Sequence, residues 1–392
     1  MDTYMNIELS FTDKAFNAKA IIIPDKSIKE KSFSFILNND LYISEIICDG
    51  EKTSFEKVSE EQPEFRPLSQ RIKIDRKEYI KNIEIIYSGT IAFTFGNGNG
   101  SCWHNIITDD FKSLSWYSVW FPQETSIGID HDKVIIINEN ELFLVKGIYN
   151  ESQNTWEYGG RGYDPYNIVA YRKEALKLIS NEYMNIYFID EQIEKQAEKS
   201  NILYQEIIKF FNGDLFNKID IPVLDIACAS PAITVGGGYR RKDFMWCTTL
   251  GNNDMEIAWL NAHETAHVWC SGANASTWED WLNETTAEWA SLLFALNKND
   301  TALFDFIINP KLEKYHTLPP IKTADGSRPV GVHDKGTVLF YEVYKKFGKD
   351  SVRFAVRTFT DLQEKNTNSF LKKLMNNGYN EMAEFINEGL TK

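Results

Sequence analysis

The sequence predicts an α+β protein, with an N-terminal antiparallel β-sheet domain over residues 1–190 and a mostly helical domain over residues 191–392. Three observations favour this class. The chain is longer than one ordinary core requires. Hydrophobic residues make up 43% of it and aromatic residues 14%, as in folded proteins. Near residue 191 the pattern changes from short apolar runs to helical periodicity.

Short apolar runs separated by turn residues characterise the first 190 residues. Four clear examples are 33–37, 83–87, 134–138 and 185–189. Runs of this length, rich in β-branched and aromatic residues, predict strands. The glycine-rich segment 96–100 lacks the spacing of a nucleotide-binding loop and predicts a hairpin or a loop.

The second half opens with a charged and polar segment, 191–200, where we place the domain boundary. Leu203, Ile207 and Phe211 follow at intervals of four residues, which is typical of an amphipathic helix. One more apolar strand is predicted at 221–227. The rest of the chain has mainly helical patterns.

Charge and composition exclude several classes of partner. The 42 Lys and Arg residues against 56 Asp and Glu residues give 42 − 56 = −14, which would repel nucleic acid. No run of about 18 apolar residues could span a bilayer, so no membrane partner is expected. The N-terminus has no leader pattern, and we expect a cytoplasmic protein. The five cysteines contain no Cys-x-x-Cys pair and are expected to be free thiols.

The segment from His263 to His267 reads His-Glu-Thr-Ala-His and lies in a predicted helix. A capping-box spacing at 253–256 marks the start of that helix, which is expected to run to about Trp269. Positions four apart share one helix face, so both imidazoles could bind one metal ion. Glu264 would then lie beside the metal as a base.

A catalytic zinc normally has three protein ligands, so a third donor must come from another element. Residues 281–293 predict a second helix that carries Glu284 and Glu288 one turn apart on a shared face. On spacing alone, either carboxylate could be the third ligand.

His-Glu-x-x-His followed by Trp-Leu-Asn-Glu resembles the gluzincin aminopeptidases, which include the alanyl aminopeptidases and leukotriene hydrolase. The resemblance implies one zinc ion per chain, bound by His263, His267 and Glu284, with Glu264 activating the zinc-bound water. It also implies that Glu288 orients a ligand histidine. Sixteen residues separate His267 from Glu284 (284 − 267 − 1), against about eighteen in that family and nineteen in the thermolysin-like gluzincins.

Two further segments match the family with substitutions. His333-Asp-Lys-Gly336 stands at the family's Tyr-x-Lys-Gly, so His333 is expected to replace the tyrosine that stabilises the oxyanion, immediately before a helix. Gly237, Gly238 and Tyr239 stand at the substrate-binding Gly-x-Met-Glu-Asn segment. Tyr239 replaces the glutamate that binds a substrate's amino terminus.

The resemblance implies a saddle-like sheet domain followed by a thermolysin-like catalytic domain. The chain stops about 45 residues after Gly348, so we expect a short form that lacks the family's large C-terminal helical domain.

The expected function is zinc-dependent hydrolysis of peptide bonds in a peptide or protein substrate. The mode is aminopeptidase-like, with endopeptidase action or relaxed N-terminal specificity. The alternative is a peptide-binding or scaffold protein that retains zinc but has little turnover. The oligomeric state stays open.

Overall fold

The short apolar runs of the first half fold into sheets in a computed structural model of the chain. The structure describes residues 4–12, 14–23, 32–60, 69–75, 80–91, 105–126, 133–137, 141–158, 167–229, 238–241 and 243–392. The chain divides into two compact units. The first contains 1–178, 186–190 and 225–248, and the second contains 179–185, 191–224 and 249–392.

Twenty strands are found in the described residues. They are β1 (Tyr4–Phe11), β2 (Phe16–Ile23), β3 (Ser32–Asn38), β4 (Tyr42–Cys48), β5 (Glu51–Lys52), β6 (Glu56–Glu60), β7 (Ser69–Asp75), β8 (Ile83–Gly89), β9 (Ile106–Ile107), β10 (Phe111–Leu114), β11 (Lys133–Ile137), β12 (Leu142–Leu144), β13 (Ile148–Asn150), β14 (Thr155–Tyr158), β15 (Ile168–Arg172), β16 (Lys177–Ser180), β17 (Met184–Phe188), β18 (Leu224–Cys228), β19 (Gly238–Arg241) and β20 (Phe244–Cys247).

These strands form four sheets. The largest has the order β13-β14-β11-β1-β2-β8-β4-β5, and a three-stranded sheet has the order β3-β7-β6. A four-stranded sheet follows the order β12-β15-β10-β9, and a five-stranded sheet the order β16-β17-β18-β20-β19. Pairing is mainly antiparallel, but β1 with β11 and β18 with β20 are parallel. The glycine-rich segment 96–100 lies outside the described residues.

Alternation of side chains explains how the first sheets cover a core. In β1 every second residue is buried, and the same alternation recurs in β2 and β8. Trp120 and Phe121, from the aromatic run near residue 120, are fully buried in this core. The sheets are therefore stabilised by one-sided burial of apolar side chains.

Eight helices are found in the described residues. They are α1 (Glu191–Phe210), α2 (Asp254–Ala266), α3 (Asp280–Asn297), α4 (Thr301–Lys314), α5 (Val332–Phe347), α6 (Lys349–Thr360), α7 (Thr367–Asn376) and α8 (Asn380–Gly389). None of the described helices combines the length and apolar character that crossing a bilayer requires.

Aromatic residues form the core of the helical unit. Trp281 and Trp289 of α3 are fully buried. Trp281 packs edge-on against Phe340 and Phe370, and its indole N–H donates to the Thr367 hydroxyl at 2.8 Å. Burial of α3 on nearly all sides fixes its rotation, and with it the direction of its polar side chains.

The predicted fold class is confirmed, with sheets in the first half and a helical second half. Two element boundaries differ from the sequence prediction. Helix α1 already begins at Glu191, so the charged segment is its first half. Strand β18 begins at Leu224, three residues later than predicted, because Pro222 has no N–H to donate and Val223 is 43% exposed.

Candidate metal centre and active site

Helix α2 carries the two histidines that are four residues apart. Its N-cap is Asn253, whose side-chain oxygen accepts the Glu256 N–H at 3.0 Å, as the capping-box spacing predicts. His263 and Glu264 lie in its last turn, and His267 is the first residue beyond it.

The predicted helix end near Trp269 was wrong by three residues, since α2 ends at Ala266. The amides of Val268 and Trp269 bond to carbonyls three residues back, at 3.1 and 2.9 Å, which tightens the chain into a turn. The turn brings the Cys270 carbonyl to 3.1 Å from His267 Nδ1, which donates to it. Nε2 of His267 therefore keeps its lone pair.

Three donor atoms from α2 and α3 converge. The Nε2 atoms of His263 and His267 are 3.2 Å apart. Glu284 Oε2 is 3.5 Å from the first and 3.8 Å from the second. Donors 2.0–2.1 Å from a tetrahedral zinc are separated by about 3.3 Å. The spacing of this group fits such an ion without large rearrangement.

Glu288 lies one turn further along α3 and is fully buried. His263 Nδ1 donates to Glu288 Oε2 at 2.7 Å, and Trp259 Nε1 donates to the same atom at 2.9 Å. Lys311 Nζ is 2.8 Å from Glu288 Oε1. The carboxylate is thus saturated with donors and fixes the His263 ring with Nε2 directed away from it.

His263, Glu288 and His333 form a second group with metal-binding side chains. In that group the His263 and Glu288 atoms are 2.7 Å apart, which is a hydrogen bond and is shorter than the separation of two ligands on one zinc. The geometry therefore favours the group with His267 and Glu284 as a metal site.

The electrostatic environment of these histidines and carboxylates favours a bound positive charge. Burial lowers the pKa of His263, but hydrogen bonds to Glu284 and Glu288 outweigh it and raise that pKa to about 10. Burial raises the pKa of the Glu284 carboxyl, but the neighbouring histidines outweigh it, so its net pKa is well below the ordinary value. Burial acts likewise on Glu288, whose pKa the charge of Lys311 lowers most. Two ionised carboxylates beside imidazole nitrogens attract a cation.

The connection between α2 and α3 is held by Asn283, the residue before Glu284. Its side chain mimics a backbone partner: the Ala273 N–H donates to Asn283 Oδ1 at 3.0 Å, and Asn283 Nδ2 donates to the Ala273 carbonyl at 3.1 Å. Asn283 Nδ2 also donates to Asp280 Oδ1 at 2.9 Å, and Arg328 Nε donates to Asp280 Oδ2 at 2.7 Å. This network fixes the residue at which α3 begins, and therefore the position of Glu284 along the helix.

Glu264 lies between the two histidines in sequence and is half-buried. Within the described residues its carboxylate accepts no hydrogen bond. Its negative charge contributes to the raised pKa of His263, so the carboxylate lies near the candidate metal-ligand group of His263, His267 and Glu284. An uncommitted carboxylate at this place can accept a proton.

His333 lies in the first turn of α5, so the prediction that it precedes a helix was wrong by two residues. The helix starts early because Gly331, with φ +71°, turns the chain at the N-cap. His333 Nε2 is 3.8 Å from Glu284 Oε2 and 3.7 Å from Glu288 Oε2. The structure therefore brings His333 to the metal-ligand group.

A close approach of α5 to α3 makes this position possible. A Cβ atom at Gly336 would lie 1.9 Å from Thr285 Oγ1, so the two helices touch where Gly336 has only hydrogen. Thr285 directly follows Glu284 on α3.

Lys311 was missed by sequence analysis. It continues the buried stripe of α4 formed by Leu303, Phe304, Ile307 and Ile308, so a lysine on an apolar helix face was the available signal. Its side chain is 8% exposed, and it forms ion pairs with Glu288 at 2.8 Å and with Asp334 at 3.0 Å.

The predicted substrate-binding residues belong to the other unit. Gly237 lies outside the described residues. Gly238 and Tyr239 are in β19, at the edge of the five-stranded sheet. The Tyr239 side chain is buried; its ring is parallel to that of Trp246 at 6.0 Å and edge-on to that of Tyr117 at 5.9 Å.

Comparison with known proteins identifies no matching family model and no matching curated sequence. Solved structures do match. Yeast (Saccharomyces cerevisiae) LTA4 hydrolase in complex with bestatin superposes with a TM-score of 0.62 at 14% identity, over 98% of this chain and 65% of that one. The chain thus spans less than two thirds of that enzyme.

An M1 zinc metallopeptidase from Deinococcus radiodurans, in a mutant form bound to a Tyr-Ser-Ala substrate, superposes with a TM-score of 0.60 at 11% identity, over 99% of this chain and 94% of that one. Both matches extend over almost all of the present chain. The resemblance read from the motifs is confirmed at the level of the fold: this chain has the fold of the LTA4 hydrolases and M1 zinc metallopeptidases.

Proposed function

We propose that this protein is a zinc-dependent peptidase of the gluzincin type. The observation that carries the proposal is the convergence of His263 Nε2, His267 Nε2 and Glu284 Oε2 at separations of 3.2, 3.5 and 3.8 Å. One zinc ion per chain would be held by these three residues. When bound, zinc supplies Lewis acidity for the carbonyl group and lowers the pKa of water.

Glu288 acts on the site through His263. By accepting the Nδ1–H at 2.7 Å, it selects the tautomer whose Nε2 lone pair is available to a metal. The Cys270 carbonyl does the same for His267 at 3.1 Å.

Glu264 is the proposed general base. Its carboxylate takes a proton from the attacking water and passes it to the leaving amine, since it has no competing hydrogen bond within the described residues. Its fixed place in the last turn of α2 keeps it beside both histidines.

His333 is the proposed oxyanion donor. Its Nε2 lies within 3.8 Å of Glu284 Oε2, so an N–H there can donate to a negatively charged oxygen formed near the ligand group. An imidazole thus takes the place of the tyrosine that the related motif carries.

The substrate is proposed to be a peptide or protein, cut internally or with relaxed demand for a free amino terminus. Support comes from Tyr239, which stands where the related motif has an amine-binding glutamate and whose ring is buried against Trp246. A phenol in that place supplies no counter-charge to an ammonium group. The proposed backbone-binding residues are Gly238, on β19, and Gly237, which lies outside the described residues.

Metal analysis and peptide digestion test this function together. Protein purified and reconstituted with zinc should contain about one zinc per chain and cleave members of a mixed peptide library, with the products identified by mass spectrometry. Absence of zinc after reconstitution would refute the proposal. Full zinc content with no cleavage of any peptide would instead favour a zinc-retaining peptide-binding or scaffold protein.

A further inference from the structure

Trp259 lies one turn before His263 on α2, on the same face of the helix. Its indole Nε1 is 2.9 Å from Glu288 Oε2 and 3.1 Å from Glu288 Oε1. Indole has one N–H donor and no acceptor, so this hydrogen bond has one possible direction, from the tryptophan to the carboxylate. Because His263 Nδ1 is 2.7 Å from the same Oε2 atom, the tryptophan and the histidine donate to one oxygen.

The Glu288 carboxylate depends on its donors because it is fully buried. An ionised carboxylate has about four lone-pair sites, and each donor that it loses inside a protein leaves an acceptor without a partner. Lys311 Nζ, on α4, is 2.8 Å from Oε1. Without the indole N–H, the carboxylate would be bonded to α4 through one oxygen and to His263 alone through the other.

Packing holds the indole ring in the position from which it donates. The Phe306 ring, on α4, is edge-on to the indole with ring centroids 6.4 Å apart, and the Lys311 ammonium is 5.5 Å from the indole centroid. Trp259 is half-buried, and the single polar atom of its side chain is directed at a fully buried carboxylate. A residue that only covered the helices with apolar area would need no such contact.

We infer that Trp259 is a positioning residue of the proposed metal centre. It holds the Glu288 carboxylate in the orientation that accepts the His263 Nδ1–H, and so keeps Nε2 of that ring facing the other two proposed ligands. The inference rests on the proposed function for the metal, but the contact between Trp259 and Glu288 is a property of the folded chain. Sequence analysis missed this residue, because an aromatic side chain on a helix is ordinarily part of a core.

Zinc affinity, measured by competition with a chelator, tests this role. Trp259→Phe keeps an aromatic ring and removes the N–H, and we expect zinc to bind about three- to tenfold more weakly, a smaller loss than that of the whole carboxylate. In a Glu288→Ala background the same change should have no further effect, because the group through which Trp259 acts is gone. Additive losses, or an unchanged affinity in folded Trp259→Phe, would overturn the inference.

Trp281→Phe is the matched control. Its indole N–H also donates to a side-chain oxygen, the Thr367 hydroxyl at 2.8 Å, but this bond joins α3 to α7. Because Trp281 is fully buried, its loss should lower the free energy of unfolding at least as much as Trp259→Phe does, yet leave zinc affinity unchanged. Circular dichroism and denaturant unfolding verify the fold and measure the stability of each variant. An equal fall of zinc affinity in both folded variants would show a general loosening of the helices and overturn the inference.

Indole NMR tests the contact itself. The chain has ten tryptophans, so ¹⁵N-tryptophan labelling of the zinc-reconstituted protein gives a simple set of indole N–H signals, in which Trp259→Phe assigns one. A hydrogen bond to a carboxylate moves the indole proton downfield, so we expect this signal to move upfield in Glu288→Ala and to keep its place in Trp281→Phe. A signal that Glu288→Ala leaves unchanged would overturn the inference. If the wild type binds no zinc, the proposed function fails while this signal still decides whether Trp259 holds the carboxylate.

Discussion

Helices α2 and α3 and strand β19 differ in how their polar groups are used. On the helices, His263 Nε2, His267 Nε2 and Glu284 Oε2 lie within 3.8 Å of one another, and Glu288 fixes the His263 ring by a hydrogen bond. On β19, Tyr239 stands at the position expected to bind an amino terminus, and its ring is buried among aromatic rings. The proposed metal ligands converge on one place, whereas the proposed amine-binding position carries an aromatic side chain packed against other rings.

The largest expected effect is on turnover. Glu264→Gln should keep zinc and fold but reduce kcat by about 10²–10⁴-fold, because it removes proton transfer while keeping the side chain's shape. Peptide hydrolysis and zinc content measure the two properties separately. Glu256→Gln, on the same helix but at its N-terminus, is the control and should retain activity. Near-normal turnover of zinc-loaded Glu264→Gln would exclude Glu264 as the base.

The second effect separates the two carboxylates of α3. Glu284→Ala should weaken zinc binding more than Glu288→Ala does, since the first removes a proposed ligand and the second removes the carboxylate that orients His263 and also binds Trp259 and Lys311. For Glu288→Ala we expect a loss of about 10–100-fold. Competition with a chelator measures both affinities. The reverse order would move the ligand role to Glu288.

The third effect is on the stability of the fold, because α5, the helix that carries His333, packs closely against α3. Gly336→Ala should destabilise the fold by about 1–3 kcal/mol, because its Cβ would overlap Thr285 Oγ1. Denaturant unfolding measures the change. Gly213→Ala, where a Cβ meets no atom within 4 Å, is the control and should be close to neutral. Equal stabilities of the two variants would refute the close approach of α5 to α3.

The smallest expected effect is that of N-terminal acetylation on the rate of peptide cleavage. An N-acetylated peptide should be cleaved within a few-fold of its free twin, because losing a charge-assisted hydrogen bond of about 1.5–3 kcal/mol matters only where a carboxylate receives the amine. Mass spectrometry of timed digests compares the two peptides. Abolished cleavage after acetylation, with products shortening one residue at a time, would show that an amine-binding group exists elsewhere.

The α2 histidines and the α3 carboxylates could be predicted from the sequence because residues four apart in a helix point to the same side. Periodicity alone could not choose between Glu284 and Glu288; the structure distinguishes their environments by a hydrogen bond of 2.7 Å against a ligand-like separation of 3.5 Å. Lys311 could not be placed from sequence because its partners lie 23 residues away in either direction, at Glu288 and Asp334. Only the packing of α4 against α3 and α5 reveals it.

The side chain of Asn283 ties the start of α3, where Glu284 lies, to the chain that follows α2. The Asn283 side chain forms hydrogen bonds with both backbone groups of Ala273, so it joins the chain after α2 directly to the first turn of α3. Residues 274–279 lie between the two bonded ends, so a different number of residues there is compatible with the same Ala273–Asn283 contact. A motif definition that counts residues would reject this chain at sixteen, whereas one that requires the Asn-Glu pair would accept it.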